Sequence, residues 1–406
     1  MLNSTDQKGL LDDVNAFCEE LRPIEELCYV EHRYNDLVIP LAGKYKLLAM
    51  PVSVELGGRG ADTVTYTRAL ARIGREGTGV RTFFSGHTSI GQYPILTWGS
   101  EEQKHRYLPP GARGEKIFAF GLTEPEAGSN PLEMQMTYER KGDHFLLNGV
   151  KYLISNAGIA TTIVTFAKGL STTAASRSQA GAWERDVGGR ISAFIVDTGA
   201  PGFAKEDLTA KMGMPTANTG MFELKDYKVP INNLLGEEGN GFRIAMGTLV
   251  SGRLSVAAGC LGVIEDCLAE VVTYSKERQQ HGKPIGKHQL VQEHIAAIEM
   301  DRFTTEAVVF RAAEAKDVSQ REPANTVLKA QAELLAAQAK LFASNAAWDA
   351  ADRAVQIFGG RGWSTLYRPG RHLQDVRVCR IYEGTDEILK LKVAAAVLGK
   401  EFEAYK

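Results

Sequence analysis

The sequence changes texture twice. Between about residue 118 and about residue 235 it is built of short apolar runs: DHFLLNGVKYLI, TTIVTFA, RISAFIVD, TGMFEL and YKVPINNL. They are rich in β-branched and aromatic residues and are punctuated by Gly, Asn, Pro and Asp, the pattern of strands. On either side, stretches such as LLDDVNAFCEELRPIEELCYVEH and TVTYTRALARIGREGTGV mix apolar and charged residues without strand alternation, which predicts helices. Helices, then strands, then helices do not make a βαβ sheet. They predict an α+β chain of segregated domains, divided here at residues 1–119, 120–236 and 237–406.

Local signals refine this outline. SEEQKHRYLPPGARGE reads as a helix capped by Ser100, with Glu102 as a first-turn charge and Pro109-Pro110 as its stop. Asn148-Gly149 lies between apolar runs and predicts a hairpin turn. The small, polar stretch from 169 to 190 predicts a long exposed loop joining two strands. Further on, Val327, Leu334, Leu341 and Trp348 recur every seven residues, with Ala330, Ala337 and Ser344 three places after the first three. That spacing predicts a narrow apolar seam in a close-packed bundle.

Composition removes several functions. Lys and Arg total 47 against 49 Asp and Glu, a net charge of −2, so there is no electrostatic footprint for nucleic acid. The opening MLNSTDQKGL has no basic segment followed by an apolar run, and no stretch approaches the ~18 apolar residues of a membrane span. The five cysteines, Cys18, Cys28, Cys260, Cys267 and Cys379, are odd in number and form no CxxC, which fits free thiols in a reducing cytoplasm. His281, His288 and His294 are close in sequence, but no carboxylate completes a metal pattern. No GxGxxG follows a strand and no GxxxxGK[ST] occurs, so a Rossmann or P-loop site is not supported.

Four stretches stand out from this scaffold. FGLTEPEAGSN, 120–130, is either an ordinary turn or a loop offering backbone N–H groups and the hydroxyls of Thr123 and Ser129 to a ligand. ERQQHGKPIGKHQ, 277–289, is a solvated loop or a site where Arg278 clamps a pyrophosphate. VQIFGGRGW, 355–363, is a helix C-cap or a close backbone approach at Gly359 and Gly360. IYEGTDE, 381–387, holds Glu383, which on its own reads as one more solvated charge.

In this order and spacing, with KMGMP at 211–215, these segments resemble the acyl-CoA dehydrogenase family of flavoproteins over residues 10 to 400 or so. The resemblance implies an N-terminal helical domain, a central antiparallel β-domain and a C-terminal four-helix bundle. It also implies FAD wedged between the last two across a subunit interface. Flavin contacts carried over onto this chain are Phe120, Leu122, Thr123, Gly128 and Ser129, with Ile154 and Ser155 flanking the ring. Arg278, Gln280, Ile285, Gln289, Gln356, Gly359 and Gly360 would serve the flavin of a neighbouring subunit, and Thr385 and Glu387 would complete the site beside Glu383. The departures are Leu153 where the family usually has tryptophan, His281 where it often has phenylalanine, and Gln374 in place of a common arginine.

The resemblance implies that Glu383 takes the α-proton of an acyl-CoA thioester while the β-hydrogen leaves as hydride to flavin N5. A minority of members carry the base on an earlier helix, but there this chain has Ser251, Gly252 and Arg253 and no carboxylate. Ser129, Arg253, Tyr382 and Gly384 would border the substrate. Arg81, with Thr82 beside it, resembles the arginine that binds the distal carboxylate in glutaryl-CoA dehydrogenases, or else makes a structural ion pair. A dicarboxylyl-CoA or substituted succinyl-CoA substrate follows from the first alternative and a straight or branched acyl-CoA from the second. An electron-transfer flavoprotein as acceptor and a homotetramer are further implications. A flavin oxidase or monooxygenase on the same fold, or a non-catalytic flavin-binding relative, are the competing readings.

Overall fold

The computed structural model describes residues 4–170, 190–402 and 404. The loop expected at 169–190 therefore lies almost wholly outside the described residues. Among the described residues six α-helices make the N-terminal part: α1 (Ser4–Val30), α2 (Val38–Lys44), α3 (Thr63–Gly74), α4 (Thr78–Phe84), α5 (Tyr93–Trp98) and α6 (Glu101–Ala112). α4 and α5 are joined by eight residues of π-helix, Ser85–Gln92, all buried except Ile90. Such wide turns are rare and tend to occur at functional sites. This one is tied to the strands by His87, whose Nδ1 accepts the Phe118 N–H at 3.1 Å.

α6 begins as expected. The Ser100 hydroxyl accepts the Gln103 N–H at 3.1 Å and the Gln103 side chain returns the bond to the Ser100 N–H at 3.0 Å. It does not stop at Pro109-Pro110, because the lost N–H groups fall in its final turn, where little helix remains to be disrupted.

The strands β1 (Phe118–Gly121), β2 (Thr137–Lys141), β3 (His144–Ser155), β4 (Thr162–Gly169), β5 (Ile191–Asp197), β6 (Phe203–Asp207), β7 (Thr219–Pro230) and β8 (Leu234–Leu235) form one sheet in the order β6-β7-β3-β2-β4-β5-β8. Most pairs are antiparallel, as expected, but β1 and the start of β2 run parallel to β4 along one of its edges. The hairpin predicted at Asn148-Gly149 is absent. β3 runs straight through those residues, and the turn is at Gly142-Asp143 between Lys141 and His144. Pairing with β2 on one side and β7 on the other overrides the local turn chemistry, and Gly149 instead sits at an irregularity in the β3–β7 register. Asn148 binds across it, its side-chain oxygen accepting the Asp226 N–H at 2.8 Å.

The chain then returns to helices: α7 (Gly241–Glu277), α8 (Gln289–Arg321), α9 (Thr326–Phe358), α10 (Arg368–Val376) and α11 (Asp386–Leu398), with a short hairpin of β9 (Gln279–Gln280) and β10 (Lys283–Pro284) between α7 and α8. α7, α8 and α9 pack on one another and α11 packs on α9. The expected seam on α9 is only partly buried: Ala337 and Ser344 are fully buried and Trp348 packs against the core, but the large residues do not form its centre. Val327 is 73% exposed and Ala330 is exposed, while Leu334, Leu341 and Trp348 are half-buried. The buried stripe is alanine: Ala332, Ala336, Ala339, Ala343, Ala347, Ala350 and Ala354. Methyl side chains let neighbouring helices approach closely, and the larger residues flank that contact. α3 and α7 also meet closely, since a Cβ on Gly74 would lie 2.6 Å from the Gly259 carbonyl oxygen.

Arg368, at the start of α10, anchors the segment that leads to residue 383. It pairs with Asp266 on α7 at 2.7 Å and with Glu26 on α1 at 3.0 Å. Among the described residues no helix is long and apolar enough to cross a membrane.

Candidate active site

Glu383 lies in the short connection between the turn Arg377–Arg380 and α11. Its backbone is left-handed, with φ +56°, and Gly384 follows with φ +95°. A non-glycine residue in that region is held at a cost of about 1 kcal/mol. Two buried cations hold the kink from opposite helices. Arg253 Nε on α7 donates to the Glu383 carbonyl at 3.1 Å, and Lys340 Nζ on α9 donates to the Gly384 carbonyl at 2.7 Å. Downstream, the Thr385 hydroxyl caps α11 by accepting the Ile388 N–H at 3.3 Å, and Asp386 accepts from Arg380 at 2.8 Å and Asn345 at 3.0 Å.

The kink lays the Glu383 carboxyl group against α7 at Gly252. A Cβ built on Gly252 would stand 2.4 Å from Glu383 Oε2. Oε2 is buried with no hydrogen-bond partner. Burial pushes the carboxyl up to about 7, against the downward pull of Arg253, Arg81 and Lys340. The result is a carboxyl group that ionises near neutrality with an open lone pair, the properties a general base needs.

Arg81, on α4, is 1% exposed. Its guanidinium donates to the Tyr382 hydroxyl and lies 5.6 Å from the centre of that ring. Its Nε has no partner, and among the described residues no carboxylate lies within ion-pair distance. The structural ion pair weighed for it is therefore absent. Tyr382 also approaches Cys379 Sγ at 3.3 Å.

The structure thus brings Arg81, Gly252, Arg253, Lys340, Tyr382, Glu383 and Gly384 together. Several residues expected at the site have other duties. Arg253 reaches the Glu383 backbone, the Thr82 hydroxyl bonds Met214 Sδ at 3.6 Å, and Thr385 is a helix cap. Glu387 is exposed, a first-turn charge on α11. The side chains of Phe120, Leu122 and Ile154 pack in the two clusters that hold the sheet, and that of Ile285 packs in the helical core.

A flavin fits the groups that remain. Gly128 and Ser129 are exposed, and a Cβ on Gly128 would meet nothing within 4 Å. Thr123 is joined to β3 by its carbonyl, which accepts the Tyr152 N–H at 2.9 Å. Ser155 lies beside the π segment, its Cβ 3.4 Å from a Cβ built on Gly86. Leu153, 56% exposed with φ +57°, is turned outward by a second irregularity in β3. Arg278, Gln280, Gln289, Gln356, Gly359 and Gly360 are all exposed, and the two segments that carry them are bridged by Tyr274 and Phe358, stacked at 4.2 Å.

Two residues of the constellation were not foreseen. In the sequence Gly252 stands out only as a position without a carboxylate, and Lys340 belongs to no motif. Lys340 lies in register with the alanine stripe, four places after Ala336 and three before Ala343, which is a readable sign of a buried cation.

Comparison with known proteins agrees with this geometry along the whole chain. The models of the acyl-CoA dehydrogenase N-terminal, middle and C-terminal domains match residues 4–115, 119–227 and 239–398. An acyl-CoA dehydrogenase of Bacillus subtilis (strain 168) is 38% identical, over 94% of this chain and 94% of that protein. The structure of butyryl-CoA dehydrogenase from Megasphaera elsdenii superposes with a TM-score of 0.87 at 33% identity, covering 98% of this chain and 100% of that one. A glutaryl-coenzyme A dehydrogenase in complex with glutaryl-CoA superposes with a TM-score of 0.87 at 32% identity, covering 100% and 98%.

Proposed function

The chain belongs to the acyl-CoA dehydrogenase family, and from that premise we propose that its substrate is the CoA thioester of a dicarboxylic acid, with Glu383 as the base. It is an FAD-dependent oxidoreductase acting on acyl-CoA. The observation that carries the dicarboxylyl reading is Arg81, a buried guanidinium whose charge reaches the base and which, among the described residues, has no carboxylate within ion-pair distance. An unpaired buried charge is costly, and a substrate carboxylate relieves that cost.

Glu383 in its ionised form removes the α-proton. Its N–H donates to no acceptor among the described residues, which leaves it for the thioester oxygen where enolate charge builds. Arg81, Arg253 and Lys340 surround the reacting region with positive charge, which favours the same enolate. When bound, the flavin supplies the redox chemistry by accepting the β-hydrogen as hydride. Thr123, Ser129 and Ser155 would hold it from one copy of the chain. Arg278, Gln280, Gln289, Gln356 and Gly360, exposed at the end of the bundle, would hold it from another, and this supports a homo-oligomer. A cleft of about 440 Å³ beside the N-terminal half of α7, with Arg243 and Lys329 in its lining, suits the phosphate-bearing arm of CoA. An electron-transfer flavoprotein would take the electrons onward.

A short straight-chain acyl group is the second reading, favoured by the likeness to butyryl-CoA dehydrogenase. The test is kcat/KM for glutaryl-CoA and butyryl-CoA in the native enzyme and in Arg81→Met. The native enzyme prefers glutaryl-CoA, and the variant loses that preference by about 100-fold, the scale of a severed buried charge pair. An unchanged ratio in the variant contradicts the dicarboxylyl reading.

A further inference from the structure

Lys340 is a fully buried lysine on a face of α9 made almost entirely of alanine. A buried ammonium is retained only where something compensates its desolvation. Among the described residues no carboxylate lies within ion-pair distance of it, and its ammonium donates to a backbone carbonyl, that of Gly384. That carbonyl follows the one taken by Arg253. Cations from two helices thus hold successive carbonyls across a kink in which both residues have positive φ.

Fixing those carbonyls sets the orientation of the Glu383–Gly384 and Gly384–Thr385 peptides. It therefore sets where the Glu383 carboxyl and N–H point. We propose that Lys340 is a positioning residue for the base: it holds the left-handed kink that aims Glu383 at the substrate, and its charge keeps the carboxylate available. The inference rests on the reading of Glu383 as base. Lys340 touches no reacting atom; it acts through the backbone of Glu383 and Gly384 and through its field.

The charged and titratable groups facing this point from each packed element are known. Arg81 comes from α4, Arg253 and Cys260 from α7, Lys340 from α9, Cys379 from the turn before Glu383, and Asp386 from α11. Asp386 is already held by Arg380 and Asn345. Of the three cations acting on Glu383, Lys340 is the one whose removal leaves both the Arg253 bond and the Arg81–Tyr382 contact intact. Without it the Glu383 carboxyl rises further, so the base is withdrawn at a higher pH.

The test is anaerobic flavin reduction by substrate in Lys340→Met and Lys340→Gln, with rates normalised to bound flavin and followed from pH 5.5 to 9. The expected result is a loss of about 10- to 100-fold in the limiting rate, the scale of a slightly misplaced catalytic group, with the half-saturating substrate concentration changed by less than about threefold. The acid limb moves to higher pH in both variants, and Lys340→Arg recovers part of the rate. An unmoved acid limb with a rate within about twofold of native overturns the proposal, as does failure of both neutral variants to fold, which would make Lys340 a fold residue. If Glu383→Gln is inactive while Lys340→Met behaves as native, this inference falls and the base assignment stands. If Glu383→Gln is fully active, the base assignment falls first.

Discussion

Glu383 and Gly252 occupy one place. A methyl group at position 252 would sit 2.4 Å from Glu383 Oε2, so the absence of a side chain on α7 there is what leaves room for the carboxyl group.

Gly252→Ala therefore pushes the carboxyl group aside. The obstructed atoms are the far end of a flexible side chain, so the cost falls on catalysis more than on the fold. The expected outcome is a fall in kcat of about 100-fold with FAD content kept and Tm within a few degrees of native. Steady-state kinetics and a thermal melt on one preparation check both halves.

The pH dependence follows from the same carboxyl group. Burial raises Glu383 to about 7, and only its ionised form takes a proton. The rate of flavin reduction thus climbs as pH rises through about 7 and levels above it.

The sign reverses for stability. A carboxyl group with a raised folded-state value binds its proton more tightly in the native state. Its contribution to stability is full below about 4.5 and is lost as pH rises to about 7. Glu383→Gln removes that loss. Melting curves show the variant close to native at pH 4.5 and more stable at pH 8.5.

A buried ion pair supports the loop that carries Thr123 and Ser129. Lys151, fully buried, donates to Glu124 at 2.8 Å and to the Leu122 carbonyl at 3.1 Å, while Glu124 also accepts the Met136 N–H at 3.0 Å. Lys151→Met strands a buried carboxylate and costs about 3–5 kcal/mol, read from urea unfolding. Adding Glu124→Gln restores part of it, and a single-variant loss below about 1 kcal/mol contradicts the pairing.

Periodicity over long windows made the three blocks legible, and the motifs around 120, 278, 356 and 383 carry the resemblance to the family whose three domain models match the chain. What escaped was decided by tertiary contact. Asn148-Gly149 carries hairpin chemistry, but a strand paired on both edges leaves it no room to turn. The seven-residue repeat on α9 marks a real stripe, yet spacing alone does not say which stripe meets the neighbouring helices. Close approach selected the alanines. Lys340 is a single charge in an alanine-rich helix, and its purpose appears only when a carbonyl from residue 384 is folded onto it.

The central claim is that Glu383 removes the α-proton. The most direct measurement is anaerobic bleaching of bound FAD by glutaryl-CoA in Glu383→Gln. The account predicts a yellow, folded variant that binds the thioester and bleaches at least about 1000-fold more slowly than native, on the scale of losing a general base. Bleaching at the native rate would contradict it.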